Sequence, residues 1–335
     1  MIIDFHSHVG DFRYSLKSSS YPPLPWKELI ARLDDEGIDK AAVLPVYNAS
    51  PEFAPIGITC SKGMSVAAQV LEAKKYSDRV IMFGNLDPRE GKDFSEKLEW
   101  FKENNCVGIG EIMSKMPYDD PRVVSMFKQI GKYGMIITIE SDPGKPYSTG
   151  YGAGFEDDPG MPRLGNLLQE VPETIIIGHG AGFWAGIAPV TTYDEKCSYP
   201  FAPIKSNGAL ACLFRKYPNL YADISARSGF GALARDPRYA EQFLEEFQDR
   251  LLFGTDIISR GRQADRKRQK RLIESLIESM ISYNTNPEVY NSMIWGHAYM
   301  PQLDYLKALL NEKRISKSAY NKITGGNARK LINMV

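Results

Sequence analysis

The sequence predicts an α/β protein, a (β/α)8 TIM barrel with extra C-terminal helices. Three observations predict it. Eight short apolar segments alternate with amphipathic ones along 335 residues, which implies a parallel sheet covered by helices. Eight is the number of strands that closes such a barrel. No Gly-x-Gly-x-x-Gly follows the first strand, which weakens the alternative, a doubly wound open sheet. No short-period repeat or low-complexity segment divides the chain, so residues 1–335 read as a single domain.

The elements follow in order. Ile2, Ile3 and Phe5 form an apolar run suited to a buried strand, which ends at Val9-Gly10. A mixed loop, Asp11 to Pro25, leads to a helix from Trp26 to Gly37, with Trp26, Leu29, Ile30 and Leu33 at helical spacing. Lys40 to Val46 is the second strand. Tyr47 to Lys62 is a loop, Met64 to Tyr76 a helix, and Val80 to Gly84 the third strand. Phe94 to Glu103, Pro121 to Tyr133 and Pro162 to Val171 read as helices, separated by strands at Cys106 to Ile112 and Met135 to Glu140. Thr174 to His179 is the sixth strand, a long loop runs from Gly180 to Pro200, and Pro203 to Tyr217 is a helix. Leu220 to Ile224 and Leu251 to Asp256 are the last strands, flanking a helix from Tyr239 to Asp249. Arg262 to Ser282 is a long helix, and two or three more fill Pro301 to Met334.

Composition narrows the function. Lys+Arg and Asp+Glu both number 41, so the chain carries no net charge and offers no electrostatic case for nucleic acid. The four cysteines, Cys60, Cys106, Cys197 and Cys212, form no close pair; a reduced, cytoplasmic setting without disulfides is the expectation. No signal peptide is visible, and no apolar run is long enough to span a membrane.

In a barrel the active site lies at the C-terminal ends of the strands. There the first strand offers His6 and His8, which sit two apart and so point to one side. The fourth offers Glu111, one residue inside, the fifth Glu140, the sixth His179 and the eighth Asp256. Charged groups in apolar strands are costly unless paired, and a shared divalent metal explains their company. Blander readings stand beside this one. His6 and His8 can be hydrogen-bonded structural histidines, and so can His179, although the glycines around it let substrate approach. Glu111 can pair with a buried cation, Glu140 can cap the turn that follows it, and Asp256 can be a helix N-cap. His297 lies outside the strand pattern and reads as structural. The basic run from Arg260 to Arg271 reads mainly as a solvated helix face, although Arg260, Arg262 and Arg227 are placed to meet a substrate carboxylate.

Five motifs, in this order, resemble the amidohydrolase superfamily, in its amidohydrolase-related branch that includes aminocarboxymuconate-semialdehyde decarboxylase and γ-resorcylate decarboxylase. They are DFHSH (Asp4 to His8), GHGAG (Gly178 to Gly182), LYADIS (Leu220 to Ser225), LLFGTD (Leu251 to Asp256) and ITGGNARKLI (Ile323 to Ile332). The resemblance covers nearly the whole chain. It implies that His6, His8 and Asp256 bind a divalent metal, usually zinc, and that His179 is a catalytic acid-base or polarising group. Most relatives also place a histidine ligand at the end of the fifth strand, where this chain has Glu140. That glutamate is either a substituted ligand, favouring manganese or magnesium, or a sign that the metal is weak or absent, as in relatives that hydrolyse lactones without one. Glu111 is similar to the fourth-strand glutamate of TatD-type hydrolases, which contacts metal.

The resulting expectation is a metal-dependent hydrolase acting on a small, carboxylated or cyclic substrate. Asp256 would serve as general base and His179 would stabilise charge on the scissile carbonyl oxygen. A decarboxylase on the same scaffold is the alternative, and a binding protein that has lost its site is a third reading. Since relatives are often oligomers, a homo-oligomer is a further expectation.

Overall fold

The structure, a computed structural model, describes residues 1–12, 22–46, 65–141, 144, 154–197, 202–293 and 298–333. His297, and much of the loops expected at 11–25, 47–62 and 141–160, lie outside them. Strands and helices alternate as β1 (Ile3–Ser7), α1 (Trp26–Glu36), β2 (Lys40–Val43), α2 (Val66–Ala73), β3 (Val80–Gly84), α3 (Ser95–Glu103), β4 (Gly108–Ile112), α4 (Pro121–Lys132), β5 (Ile136–Glu140), α5 (Pro162–Glu170) and β6 (Ile176–His179). There follow α6 (Ala181–Ala185), α7 (Tyr193–Cys197), α8 (Ala209–Lys216), β7 (Leu220–Asp223), α9 (Ala226–Ala234), α10 (Pro237–Glu246), β8 (Leu251–Leu252) and α11 (Gln263–Ile281). The chain ends with α12 (Pro287–Ser292), α13 (Gln302–Asn311), α14 (Lys317–Asn321) and α15 (Asn327–Ile332).

The eight strands pair in sequence order, every pair parallel. The ring closes just beyond β8. Phe5 N donates to Phe253 O at 2.9 Å, Asp256 N to His6 O at 2.7 Å, and His8 N to Ile257 O at 2.9 Å. This accounts for the short eighth strand, which was expected to reach Asp256: from Phe253 onward its backbone turns to β1 and to Ile323. The helix expected from Pro203 begins only at Ala209, because Ile204 N and Gly208 N bond outside it, to Asp236 and to Ile187 O. The loop expected from Gly180 to Pro200 contains α6 and α7, and a further helix, α9, follows β7.

Strand residues alternate between two cores. Ala41, Val43, Met82, Ile137, Ile139, Ile176, Leu220, Ala222 and Leu251 face the surrounding helices. Ala42, Leu44, Ile81, Phe83, Ile136, Ile177, Tyr221 and Leu252 fill the barrel, closed at the bottom by Ala328 and Leu331 of α15. Two strands depart from this alternation. On β1 the pairing passes from Asp4↔Ala41 to Ser7↔Val43, and on β4 from Ile109↔Ile137 to Ile112↔Ile139. Each strand thus carries one extra residue, a bulge, which reverses the direction of the side chains after it. Ile3 and Phe5 point into the barrel, so strict alternation would send His6 and His8 outward; the bulge brings both imidazoles in. Ile109 and Ile112 both face the helices, and Glu111 between them faces the interior.

Candidate metal centre

The six strand-end residues singled out from sequence meet at the top of the barrel. His6 Nε2 lies 3.6 Å from Glu111 Oε2 and 3.7 Å from Asp256 Oδ1. His8 Nε2 lies 3.6 Å and 3.0 Å from the same two oxygens. On the other side, His179 Nε2 lies 3.8 Å from Glu111 Oε1, 3.9 Å from Asp256 Oδ2 and 3.4 Å from Glu140 Oε2. All are buried except Glu140, which keeps 21% of its side chain exposed.

Asp223, at the end of β7, belongs to the same constellation and was not among the expected site residues. Its Oδ2 accepts from His6 Nδ1 at 3.0 Å and its Oδ1 from His179 Nδ1 at 2.9 Å. Ser225 adds its backbone N–H at 3.1 Å and its hydroxyl, and Trp184 Nε1 holds the Asp223 carbonyl at 3.0 Å. The signal was the one that marked Asp256: an aspartate ending an apolar strand, in LYAD.

The second nitrogens are fixed by these partners. Carboxylates and carbonyls only accept, so the Nδ1 atoms of His6 and His179 on Asp223, and of His8 on Leu44 O at 2.6 Å, carry the hydrogens. An uncharged imidazole so held presents a lone pair at Nε2, the arrangement typical of metal-ligating histidines. His6 Nε2 is fully buried and makes no hydrogen bond. His6, His8 and Asp256 each bring one ligand atom within 4.8 Å of the others, and Glu111 Oε2 stands 3.6 Å from both His6 Nε2 and His8 Nε2. Ligands at about 2.0–2.1 Å in a tetrahedron stand about 3.4 Å apart, so this set fits a divalent cation.

The charges reinforce one another. Burial opposes the positive form of His6, but the Asp223 carboxylate, and after it Glu111, raise its pKa well above the ordinary value. Burial works against ionised Glu111 too, yet the imidazoles of His6, His179 and His8 hold its pKa below normal. Asp223 behaves likewise: the imidazoles of His179 and His6 overcome burial and depress its pKa. Glu140 is pushed well up, by burial first and then by repulsion from Glu111 and Asp256. Behind the site, burial raises Asp4 to about 7, although its Oδ2 accepts from Thr255 Oγ1 at 2.5 Å.

The blander expectations meet different surroundings. Glu111 faces imidazoles rather than a lysine or arginine. Asp256 does not cap a helix: α11 starts at Gln263, and Asp256 has left-handed backbone (φ 60°) that turns its N–H to His6 O. The arginines stand apart from the cluster. Arg260 is exposed, 3.8 Å from Glu28, Arg262 precedes α11, and Arg227 holds its guanidinium over the Tyr290 ring.

The family model described as amidohydrolase matches residues 3–334. No curated protein matches the chain by sequence. Among solved structures, the chain is similar to a probable 2-pyrone-4,6-dicarboxylic acid hydrolase from Acinetobacter baumannii (13% identity, TM-score 0.55, 99% of each chain). It is also similar to an amidohydrolase from Burkholderia multivorans with bound zinc (13%, 0.55, 99% of each chain). A third is dihydroxybenzoic acid decarboxylase from Polaromonas sp. JS666 with bound manganese and 2-nitroresorcinol (15%, 0.52, 99% of this chain and 97% of that one). At these identities the likeness establishes the shared barrel. Among the described residues, no helix is long and apolar enough to cross a membrane.

Proposed function

The chain belongs to the amidohydrolase family, and on that premise we propose that it is a metal-dependent hydrolase of a small, carboxylated or cyclic substrate. The observation that carries this reading is the grouping of His8, Asp256 and Glu111 around the orphaned His6 Nε2. His6, His8, Glu111 and Asp256 would hold the ion. Imidazole and carboxylate donors suit zinc, and the carboxylate share also admits manganese or magnesium. When bound, such an ion polarises a carbonyl and brings the ionisation of water toward neutral pH.

The chain's own groups do the rest. Asp256 turns Oδ1 to the donor set and leaves Oδ2 on the far side, toward His179. Oδ2 is placed to accept the proton of the attacking water and pass it to the leaving group. His179, held through Nδ1 by Asp223, turns Nε2 toward Glu140 and the second oxygens of Glu111 and Asp256, and so would help to position substrate on that side of the site. Glu140, the partly exposed member, marks the side from which substrate enters. For a substrate carboxylate the candidates remain Arg227, at the start of α9 with its guanidinium over Tyr290, and exposed Arg260 near Glu28, both apart from the donor set.

The test is chelator-stripped enzyme assayed on lactones, amides and carboxylated rings. Loss of turnover and its return with zinc or manganese are expected. Activity that survives complete stripping, in a protein purified without metal, would overturn the mechanism. The same donor set also suits a decarboxylase, the activity for which the Polaromonas relative is named. Turnover in ¹⁸O-water separates the two: hydrolysis places the label in product, whereas decarboxylation releases carbon dioxide without adding water to the organic product.

A further inference from the structure

We propose that the cleft between α1, α11 and α13 is a second ligand site, taking an organic anion with an apolar ring, of the aryl phosphate class. The cleft holds about 590 Å³, inside the range of about 300–1,000 Å³ typical of small-molecule sites. It shares no residue with the donor set of the metal centre. Its floor is apolar, built from Ile273 and Ile277 of α11, Leu303 of α13 and Ala298. Its rim carries the cations Arg260, Arg266, Lys270 and Lys307. An apolar floor beneath a cationic rim fits a ligand with a flat hydrophobic body and a negative end.

One end of the cleft is held in place from beneath. Arg32, on α1, keeps only 11% of its side chain exposed. Its Nη1 donates to Ser259 O at 2.9 Å and to Ala298 O at 2.7 Å. These two bonds tie together the segments that lead into Arg260 and Tyr299, and the Tyr299 hydroxyl donates on to Arg262 O at 2.6 Å. A site fixed before binding loses little affinity to ordering. The charges divide along the cleft. Glu36 is taken by Arg32 at 2.9 Å, Glu274 stands 4.0 Å from Lys270, and Asp304 lies near Lys307 and Lys270; Asp35 is the remaining carboxylate of the lining. At the Tyr299 end Arg260 only approaches Glu28 at 3.8 Å, and among the described residues Arg266 makes no ion pair. The Arg266 guanidinium rests on the Arg260 carbonyl at 3.4 Å, which leaves its other donors for a phosphate oxygen. Arg266, Lys270, Ile273 and Ile277 follow at helical spacing, so one stripe of α11 supplies both rim and floor. Lys267 is exposed on the same helix but lies outside the cleft.

The experiment is isothermal titration of the full chain with phenyl phosphate, inorganic phosphate and phenol as separate probes. One equivalent of phenyl phosphate is expected to bind, about tenfold tighter than either fragment, and to weaken as sodium chloride is raised. Arg266→Gln and Arg260→Gln, both at exposed residues, should each weaken it about tenfold. Lys267→Gln, the same charge change one residue along α11, should leave it unchanged. Absence of phenyl phosphate binding overturns the site. Equal losses in Arg266→Gln and Lys267→Gln reduce the cleft to a diffuse basic surface and overturn it too. Loss in His8→Ala with none in Arg266→Gln places the probe at the metal centre and again overturns it. Inorganic phosphate binding as tightly as phenyl phosphate overturns the role of the apolar floor. Circular dichroism verifies that each variant is folded.

Discussion

Replacing Asp223 by asparagine tests the site through a residue outside the proposed donor set. The carboxylate accepts from His6 on Oδ2 and from His179 and Ser225 on Oδ1. An amide has one acceptor and one donor. With its oxygen kept on the His179 and Ser225 side, its NH2 confronts His6 Nδ1. His6 then must move its hydrogen to Nε2, where it blocks the lone pair proposed to bind the metal. Loss of such an outer partner typically weakens metal affinity 10–100-fold, about 1.4–2.7 kcal/mol. Removing one member of a buried charged set costs about 3 kcal/mol, which for a chain of this length lowers Tm by roughly 4 °C. Competition with a chromophoric chelator measures the first quantity and a thermal melt of the metal-free protein the second. A folded Asp223→Asn variant that binds zinc as tightly as the parent would refute the reasoning.

Other outcomes follow from single contacts. Gly180 has φ 93°, and a Cβ there would collide with Glu140 Oε1; Gly180→Ala should destabilise by about 1–3 kcal/mol and displace Glu140, and an unchanged melt would contradict this. Burial raises Asp157 to about 6 against three backbone donors, Asp158, Arg163 and Leu164. The folded state therefore holds this proton more tightly than the unfolded one, so its contribution to stability is greatest below about pH 4 and declines as pH rises through 6. Relative to Asp157→Asn, the parent should lose about 1 kcal/mol between pH 5 and 7.5 in urea titrations; a constant difference would exclude it. Burial pushes the Cys106 thiol up to about 12, whereas Cys212 is exposed; peptide mapping after brief alkylation at pH 8 should find Cys212 modified and Cys106 intact, and early labelling of Cys106 would disprove the buried placement.

The alternation of strands and helices was legible because parallel strands are buried on both sides and read as apolar runs. VIMFG, MIITIE and TIIIGH each became β3, β5 and β6 almost residue for residue. Irregular contacts hid the rest. The eighth strand was read too long because Phe253 continues the apolar run of Leu251 and Leu252, although the backbone from Phe253 onward serves β1 and Ile323. Helix α9 was overlooked because its ARSGFGALA carries two glycines, which weaken any helical reading. At the site, His6, His8, Glu111, Glu140, His179 and Asp256 stood out as polar groups at apolar strand ends. Asp223 showed the same sign, but its role is to orient imidazoles from two distant strands, and that pairing exists only once the barrel closes.

The bulges on β1 and β4 turn ligand placement into a matter of parity. Inside a regular strand, facing alternates with every residue, so a one-residue deletion ahead of His6 or Glu111 is as decisive as replacing the ligand itself. Such a deletion would leave composition, hydropathy and every motif residue in place while turning the donors toward the helices. Removing two residues would restore the facing and merely shorten the strand. Loss of function in this barrel can thus arise from counting alone, in a chain that still displays its complete set of histidines and carboxylates.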